Sequence, residues 1–409
     1  MTAEVAVMNT SGIALAADSA VTLGQTQKVY ASVDKLFQPS ANLPVGIMIY
    51  GNASLLGLPW ETIIKLYGSA LEGQSLPKLS DYADRLAEFL DQNCDSMFPR
   101  EPQKAMVSEA CQILLLSLRE RAQKRMGEAF QNEPPGADAS WIESTVSDAL
   151  GRAVQRELER VRRFPFLDAH DQASATEFRI QHSAEISAGI EAQFRGWPGY
   201  ETHRGEIESL LVESLIRATD ETPYSSGFVV AGFGEREYFP SLVELQFRGL
   251  MANRSLSTRI QEVVISVGTQ ESAVIPFAQT DVVETFMKGA SPATRYMISN
   301  HVREILIESM RKGEPSTGSS SDVADLINGY ESLWDACEAH YVNPTLDIVA
   351  SLPRAELGAM AEALVNITKL KRRISYDPGT VGGPVDVALI SKADGFAWFR
   401  RKNSLEIYG

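Results

Sequence analysis

The first fifty residues constrain the fold most, because they read as a succession of short strands rather than as helix. Two apolar runs, at residues 4–8 and 13–17, are separated by Asn9-Thr10-Ser11-Gly12, a sequence typical of a hairpin turn. Further extended segments follow at residues 28–37 and 45–50. A chain that begins with four such segments is expected to build an antiparallel sheet.

The rest of the chain alternates between helical and extended patterns. Helical periodicity dominates from about residue 101 to residue 222. Further helices are predicted at 273–288, 292–310, 322–340 and 353–373, and further strands at 227–232, 242–247, 263–267, 385–390 and 396–400. This order of strands, helices, strands, helices and strands predicts an α+β fold in which helices cover antiparallel sheets.

Composition excludes several classes of function. The 38 Lys and Arg residues are outnumbered by 53 Asp and Glu residues, and the net charge of −15 argues against nucleic acid or an anionic membrane as a partner. The three cysteines include no Cys-x-x-Cys pair and the five histidines show no ligand spacing, so neither a metal nor a cofactor is expected. No signal peptide or long apolar segment is evident, and a cytoplasmic location is therefore predicted.

Thr2 is the first candidate for chemistry. Threonine is small enough for Met1 to be removed, which would leave Thr2 with a free α-amine. That amine has an ordinary pKa of about 7.7–8.0, so near neutral pH it can act as a base toward the hydroxyl of its own residue. A Met-Thr start also arises by chance, so the hypothesis depends on what surrounds Thr2.

Asp18, Lys35 and Gly51 give Thr2 a plausible setting. The hairpin returns Asp18 to the neighbourhood of residues 2–4, and Lys35 in an apolar strand needs a carboxylate partner, for which Asp18 is suitable. A cation there would lower the pKa of the Thr2 hydroxyl and amine. The backbone N–H of Gly51, between a strand and a helix, can stabilise an oxyanion. Each residue also has a simpler interpretation: a turn aspartate, an edge-strand lysine and a turn glycine.

Six segments together resemble a known family. They are TAEVAV (2–7), GIALAADS (12–19), DKLF (34–37), GIMIYGNA (46–53), GFVVAGFG (227–234) and GGPVDVALI (382–390), the last followed by Asp394-Gly395. In this order and at nearly this spacing, they resemble proteasome β-subunits and the bacterial proteasome-type relatives among the N-terminal nucleophile hydrolases.

The resemblance implies both a fold and a catalytic site. The fold would be a four-layer αββα sandwich. The site would consist of Thr2 as nucleophile and base, the Asp18–Lys35 charge pair and the Gly51 N–H as oxyanion donor. The family's active members add a Ser, an Asp and a second Ser from later segments. The counterparts here would be Thr269, Asp377 and Thr380 respectively.

The resemblance also implies how the length is used, because the family's core is much shorter than 409 residues. We expect one elaborated domain over residues 1–409. A helical insertion would occupy 101–222. A second, mostly helical insertion would occupy 291–350 and contain the low-complexity linker 313–321.

These observations predict an N-terminal threonine hydrolase that cleaves amide bonds, with a peptide or protein substrate and a homo-oligomeric assembly. One alternative is a catalytically inactive protein of the same fold that serves as an oligomeric scaffold or binding module. A further alternative is an amidohydrolase for small molecules.

Overall fold

The computed structural model describes residues 2–23, 28–30, 33–168, 170–219, 225–251, 254–312, 320–375 and 382–402. The strands are β1 (Ala3–Asn9), β2 (Gly12–Asp18), β3 (Val21–Leu23), β4 (Lys28–Tyr30), β5 (Leu36–Phe37), β6 (Val45–Gly51), β7 (Ser54–Leu55), β8 (Leu58–Pro59), β9 (Ser226–Gly232), β10 (Ser241–Met251), β11 (Arg254–Val264), β12 (Ser272–Ala278), β13 (Val385–Ser391) and β14 (Gly395–Arg400).

The helices are α1 (Trp60–Ala70), α2 (Leu79–Gln92), α3 (Cys94–Met97), α4 (Arg100–Phe130), α5 (Ala139–Arg162), α6 (Gln172–Gln181), α7 (Ser183–Phe194), α8 (Tyr200–Ile216), α9 (Asp281–Lys288), α10 (Pro292–Lys312), α11 (Ser320–Ser351) and α12 (Arg354–Arg373). In the described part of the chain, no helix is long and apolar enough to cross a membrane.

Two five-stranded sheets form the centre of the described structure. The first has the strand order β12-β1-β2-β13-β14, and the second has the order β11-β10-β9-β6-β5. Neighbouring strands are antiparallel in both sheets. The predicted N-terminal hairpin is therefore β1–β2, in which Glu4 is opposite Ala17.

Strand β1 is buried on both faces, and alternation along it shows what each face contacts. Ala6 and Met8 belong to a core that also contains Met48 and Val229 of the second sheet. The odd-numbered residues of β1 instead pack with apolar residues of α9, α11 and α12. Even-numbered positions of β1 therefore face the interior between the sheets.

Helices also pack on the second sheet and in a separate cluster of their own. Residues of α1 and α2, among them Trp60 and Tyr82, share a core with β6, β9 and β10. The long helices α4–α8 surround a different core, to which Leu256 of β11 also contributes. Within the predicted helical insertion 101–222, the buried apolar residues between Met106 and Ile216 thus pack mainly against one another.

The prediction of a mixed fold with antiparallel sheets and many helices is confirmed, but several boundaries are wrong. Residues 273–288 were predicted as helix, yet the first part is β12, which pairs with β1 and buries Ala273 and Phe277 between the sheets. The helix predicted to follow Gly51 begins only at Trp60, after the small β7–β8 hairpin. The strand predicted at 263–267 ends at Val264. The linker at 313–321 falls largely outside the described residues.

Two helical glycines provide a test of this packing. A Cβ atom at Gly68 of α1 would lie 1.8 Å from the carbonyl oxygen of Pro39, whereas one at Gly205 of α8 would meet no atom within 4 Å. We expect Gly68→Ala to lower the free energy of unfolding by about 1–3 kcal/mol, because backbone must move. Gly205→Ala should raise it by about 0.5–1 kcal/mol, because alanine favours helix. Urea unfolding of both variants measures the difference, and a shift of the same sign in both would contradict this packing.

Candidate active site

Thr2 lies immediately before β1 and is buried, with 4% of its surface exposed. Alternation places its side chain on the same face of the strand as Glu4, Ala6 and Met8, toward the interior between the sheets. Within the described structure, the Thr2 Oγ1 atom is buried and has no hydrogen-bond partner. A buried hydroxyl in this state is uncommon and calls for an explanation such as a reactive role.

Asp18 ends β2, and its carboxylate accepts four hydrogen bonds. Oδ1 accepts from the Ala3 N–H at 3.1 Å and from Lys35 Nζ at 2.7 Å. Oδ2 accepts from the N–H groups of Ala20 at 3.3 Å and Gly382 at 2.9 Å. A carboxylate offers about four lone-pair positions, so this one is saturated.

Lys35 supplies the positive charge of a buried ion pair. The side chains of Lys35 and Asp18 are 3% and 0% exposed. Lys35 comes directly before β5, and its carbonyl accepts a hydrogen bond from the Ile49 N–H at 2.9 Å. The predicted contact between Asp18 and Lys35 is therefore present, and it joins the end of a strand in the first sheet to the edge of the second.

Gly51 ends β6 and lies two residues after Ile49, whose backbone N–H donates a hydrogen bond to the Lys35 carbonyl. Its φ is +83°, a conformation that favours glycine, and a Cβ atom there would lie 2.3 Å from the Ser225 carbonyl oxygen. The backbone conformation and the close approach of the Ser225 carbonyl therefore both require glycine at position 51. The next element is the β7–β8 hairpin, so Gly51 does not adjoin a helix as the sequence suggested. The role of its N–H as an oxyanion donor stays a prediction.

The structure does not bring Thr269 to this cluster. Thr269 is exposed in the turn between β11 and β12, where its hydroxyl contacts that of Ser266. The turn leads to Ser272, which pairs with Asn9 at the far end of β1. Asn9 is seven residue steps from Thr2, so that end of β1 lies about 23 Å away. The other two predicted positions, Asp377 and Thr380, lie outside the described residues.

Glu4 is a neighbour of Thr2 that the sequence motifs did not single out. It is 1% exposed, and neither carboxyl oxygen has a hydrogen-bond partner among the described residues. Burial raises the pKa of this carboxyl well above its usual range, Lys35 opposes that shift, and Asp18 adds to it. The Thr2 side chain also lowers the pKa slightly, although its hydroxyl makes no hydrogen bond of ordinary geometry. The sequence did contain a signal for Glu4, because it is a charged residue at the start of the otherwise apolar run 4–8.

Tyr50 and Glu244 form a second polar group in the interior between the sheets. The hydroxyl of Tyr50 donates to the carboxylate of Glu244, which also accepts from Gln261 Nε2 at 2.6 Å. Burial and the nearby Glu244 raise the pKa of Tyr50, with a smaller contribution from Glu4. The ring of Tyr50 stacks on Phe277, which is opposite Glu4 in the sheet. Among the described residues, Glu244 thus has hydrogen-bond partners, whereas Glu4 has none.

Comparison with known proteins corrects the family assignment. No protein-family model matches the sequence, and no curated protein matches it significantly. Similar solved structures include three of Anbu proteins. Anbu (ancestral beta-subunit) from Yersinia bercovieri has a TM-score of 0.30 at 10% identity, over 97% of this chain and 86% of that one. Anbu from Hyphomicrobium sp. strain MC1 has a TM-score of 0.29 at 8% identity, over 98% and 86%.

The expectation of a standard proteasome β-subunit is therefore wrong. An Anbu (Gly-1) mutant from Hyphomicrobium sp. strain MC1 gives a similar result, with a TM-score of 0.27 at 10% identity over 98% of this chain and 86% of that one. Similarity at this level carries no information on what the present chain does. Its chemistry has to be inferred from the site itself.

The ion pair makes a prediction about stability. Asp18→Asn leaves the Lys35 ammonium buried without its carboxylate, and should lower the free energy of unfolding by about 3–5 kcal/mol. Lys35→Met should cost less, because the Asp18 carboxylate keeps its three backbone N–H donors. The double variant should cost less than the sum of the two. Urea unfolding of the four proteins measures this coupling, and strictly additive costs would contradict the pairing.

Proposed function

We propose that the chain is an N-terminal threonine hydrolase that cleaves amide bonds, with peptides as its expected substrates, after removal of Met1. The observation that supports this most is the buried hydroxyl of Thr2, which has no hydrogen-bond partner among the described residues and lies beside a buried ion pair. Asp18 holds the Ala3 N–H, which fixes the backbone next to the nucleophile. Fixing a nucleophile in this way lowers the entropic part of the activation barrier.

The reaction follows from the groups that Thr2 itself would carry. The hydroxyl attacks the carbonyl carbon of the substrate while its proton passes to the α-amine of the same residue. The amide nitrogen then takes a proton and leaves, and an ester on Thr2 remains. Water, deprotonated by the amine, hydrolyses the ester and restores the hydroxyl. The positive charge of Lys35 favours the developing negative charge, and the Gly51 N–H is the proposed oxyanion donor.

The two buried cysteines fit a nucleophilic role less well than Thr2. Burial raises the pKa of the Cys94 thiol to about 11 and that of the Cys111 thiol to about 12, so neither forms much thiolate near neutral pH. Among the described residues, no group of three or more His, Cys, Asp or Glu side chains is arranged to hold a metal ion.

Removal of Met1 and labelling of Thr2 test the proposal directly. Intact-mass measurement of the native protein should give a mass that lacks Met1. A β-lactone that acylates threonine hydroxyls should then add one equivalent, which peptide mapping should locate at Thr2. Thr2→Ala should lower the rate of labelling and of peptide hydrolysis at least about a hundredfold, because the nucleophile is gone.

Thr10→Ala provides the matched control, because Thr10 lies in the turn of the same hairpin, away from the ion pair. This variant should label and hydrolyse like the native protein. Full retention of Met1, or equal labelling of Thr2→Ala and the native protein, would show that the free-amine mechanism is wrong.

A scaffold role has one observation in its favour. Helices α10 and α11 carry exposed large apolar side chains, including Tyr296, Met297 and Leu333, which are 68%, 64% and 63% exposed. Such side chains are typical of surfaces that associate. We infer that the protein forms a homo-oligomer through these helices. Such an assembly is compatible with a hydrolase and with a scaffold. Light scattering tests this oligomerisation, and a strict monomer at all concentrations would exclude it.

Side-by-side assays with peptides and small amides would separate a peptidase from a small-molecule amidohydrolase.

We also propose the four-layer αββα arrangement for the hydrolase core. Its support is the division of apolar contacts into one cluster between the sheets and one helical cluster for each sheet. The single-domain proposal, with insertions at 101–222 and 291–350, has similar support. The first insertion has a core of its own, and α11 is joined to β1 through Asn9, whose side-chain amide donates to the Val349 carbonyl at 2.8 Å.

A further inference from the structure

A free α-amine on Thr2 needs a hydrogen-bond acceptor that orients it toward the hydroxyl of the same residue. Its lone pair must point to the hydroxyl proton, so its N–H groups have to be held elsewhere. Buried N–H groups are almost always held by an acceptor. The question is which group in the described structure can do this.

Asp18 is the obvious acceptor, but its capacity is used. Its two carboxylate oxygens already accept from Ala3, Ala20, Lys35 and Gly382. These four bonds fill the lone-pair positions of a carboxylate. A further donor would have to displace one of them and weaken the ion pair or the backbone contact.

Glu4 has the opposite properties. Side chains two residues apart on a strand lie on the same face, so Glu4 and Thr2 share the interior between the sheets. The Glu4 carboxyl is 1% exposed, and within the described residues both of its oxygens lack partners. The Thr2 Oγ1 atom beside it is equally buried and equally without a partner. The Glu4 oxygens therefore have acceptor capacity left for a donor, beyond the contact with the Thr2 side chain that lowers the pKa of the carboxyl.

We propose that Glu4 is the positioning residue for the α-amine of Thr2. Once Met1 is removed, the amine donates to the Glu4 carboxyl and its lone pair faces the Thr2 hydroxyl. When the hydroxyl oxygen bonds to the substrate carbonyl carbon, its proton moves to the amine. The resulting ammonium is stabilised by the ionised Glu4 carboxylate. This inference rests on the proposed function, and it assigns a role that Asp18 cannot fill.

The state of Glu4 should then depend on Met1. With Met1 attached there is no cation at Thr2 itself, and burial raises the pKa of the Glu4 carboxyl, a shift that Lys35 opposes and Asp18 increases, so the neutral form is favoured. The new ammonium places an opposite charge next to the carboxyl and favours ionisation of both groups. The two groups should therefore titrate as a coupled pair.

The experiment measures the pKa of the α-amine by ¹⁵N NMR on protein labelled with [¹⁵N]threonine. Glu4→Gln keeps the shape of the side chain and removes the charge, so the amine pKa should fall by about 1–3 units. The acidic limb of the pH profile for labelling of Thr2 by the β-lactone should shift down equally. The plateau rate should fall about tenfold or more, because the amine is no longer oriented.

Glu244→Gln is the matched control. Glu244 is also a buried acid on the interior face, but its carboxylate already accepts from Tyr50 and Gln261. This variant should leave the amine pKa close to the native value. An amine pKa that is unchanged in Glu4→Gln, or that moves as far in Glu244→Gln, would overturn the role of Glu4.

A second measurement does not depend on a folded variant. Infrared spectra of the native sequence, prepared with and without Met1, should show a stronger protonated carboxyl band at the same pH when Met1 is retained. If the band is equally strong in both forms across the pH range, the pairing is wrong.

The outcomes separate the two proposals. If Thr2 is not labelled although its amine pKa responds to Glu4→Gln, the hydrolase proposal fails and the pairing stands. If labelling occurs at Thr2 but the amine pKa and pH profile ignore Glu4, the pairing alone fails. If Met1 is fully retained in the native protein, both fail.

Discussion

The buried ion pair between Asp18 and Lys35 is the interaction on which the arrangement of the site depends. Asp18 belongs to the first sheet and Lys35 leads into the second, so the pair links the two where β1 begins. Burying two charges carries a cost of several kcal/mol for each ion, which is offset only when geometry is good and other donors contribute. Three backbone N–H groups supply those donors. The polypeptide at Ala3, Ala20 and Gly382 is thereby held to one carboxylate.

The layer between the sheets changes character along its length. Toward the middle of β1 it is filled by Met8, Met48 and other apolar side chains, and such a layer needs no particular chemistry. Toward Thr2 it contains the carboxyl of Glu4 and the hydrogen-bonded pair of Tyr50 and Glu244. Polar groups are costly in such a place unless they are paired. Among the described residues of this layer, the polar side chains without a hydrogen-bond partner are those of Thr2 and Glu4, at the candidate nucleophile. The Glu4 oxygens can accept a hydrogen bond there.

Much of this could be predicted from sequence, and the failures have identifiable physical causes. The β1–β2 hairpin and the Asp18–Lys35 contact followed from a turn signal and from the need of a buried lysine for a carboxylate. β12 was mistaken for helix because its apolar residues continue into those of α9, and only pairing with β1 distinguishes the two. Thr269 was assigned by motif order, and the register of β12 puts it at the wrong end of β1.

Glu4 shows a more general reason why sequence falls short. β1 is buried on both faces, so its apolar pattern does not reveal which positions face the second sheet and which face the helices. Once the sheets are in place, two carboxylates near Thr2 differ sharply in environment. Asp18 accepts four hydrogen bonds, whereas the buried Glu4 carboxyl has no hydrogen-bond partner among the described residues and its pKa is raised. Differences of this kind assign separate tasks to chemically similar groups. Asp18 is suited to hold the backbone at Ala3, Ala20 and Gly382. Glu4 is suited to respond to the charge on the Thr2 α-amine.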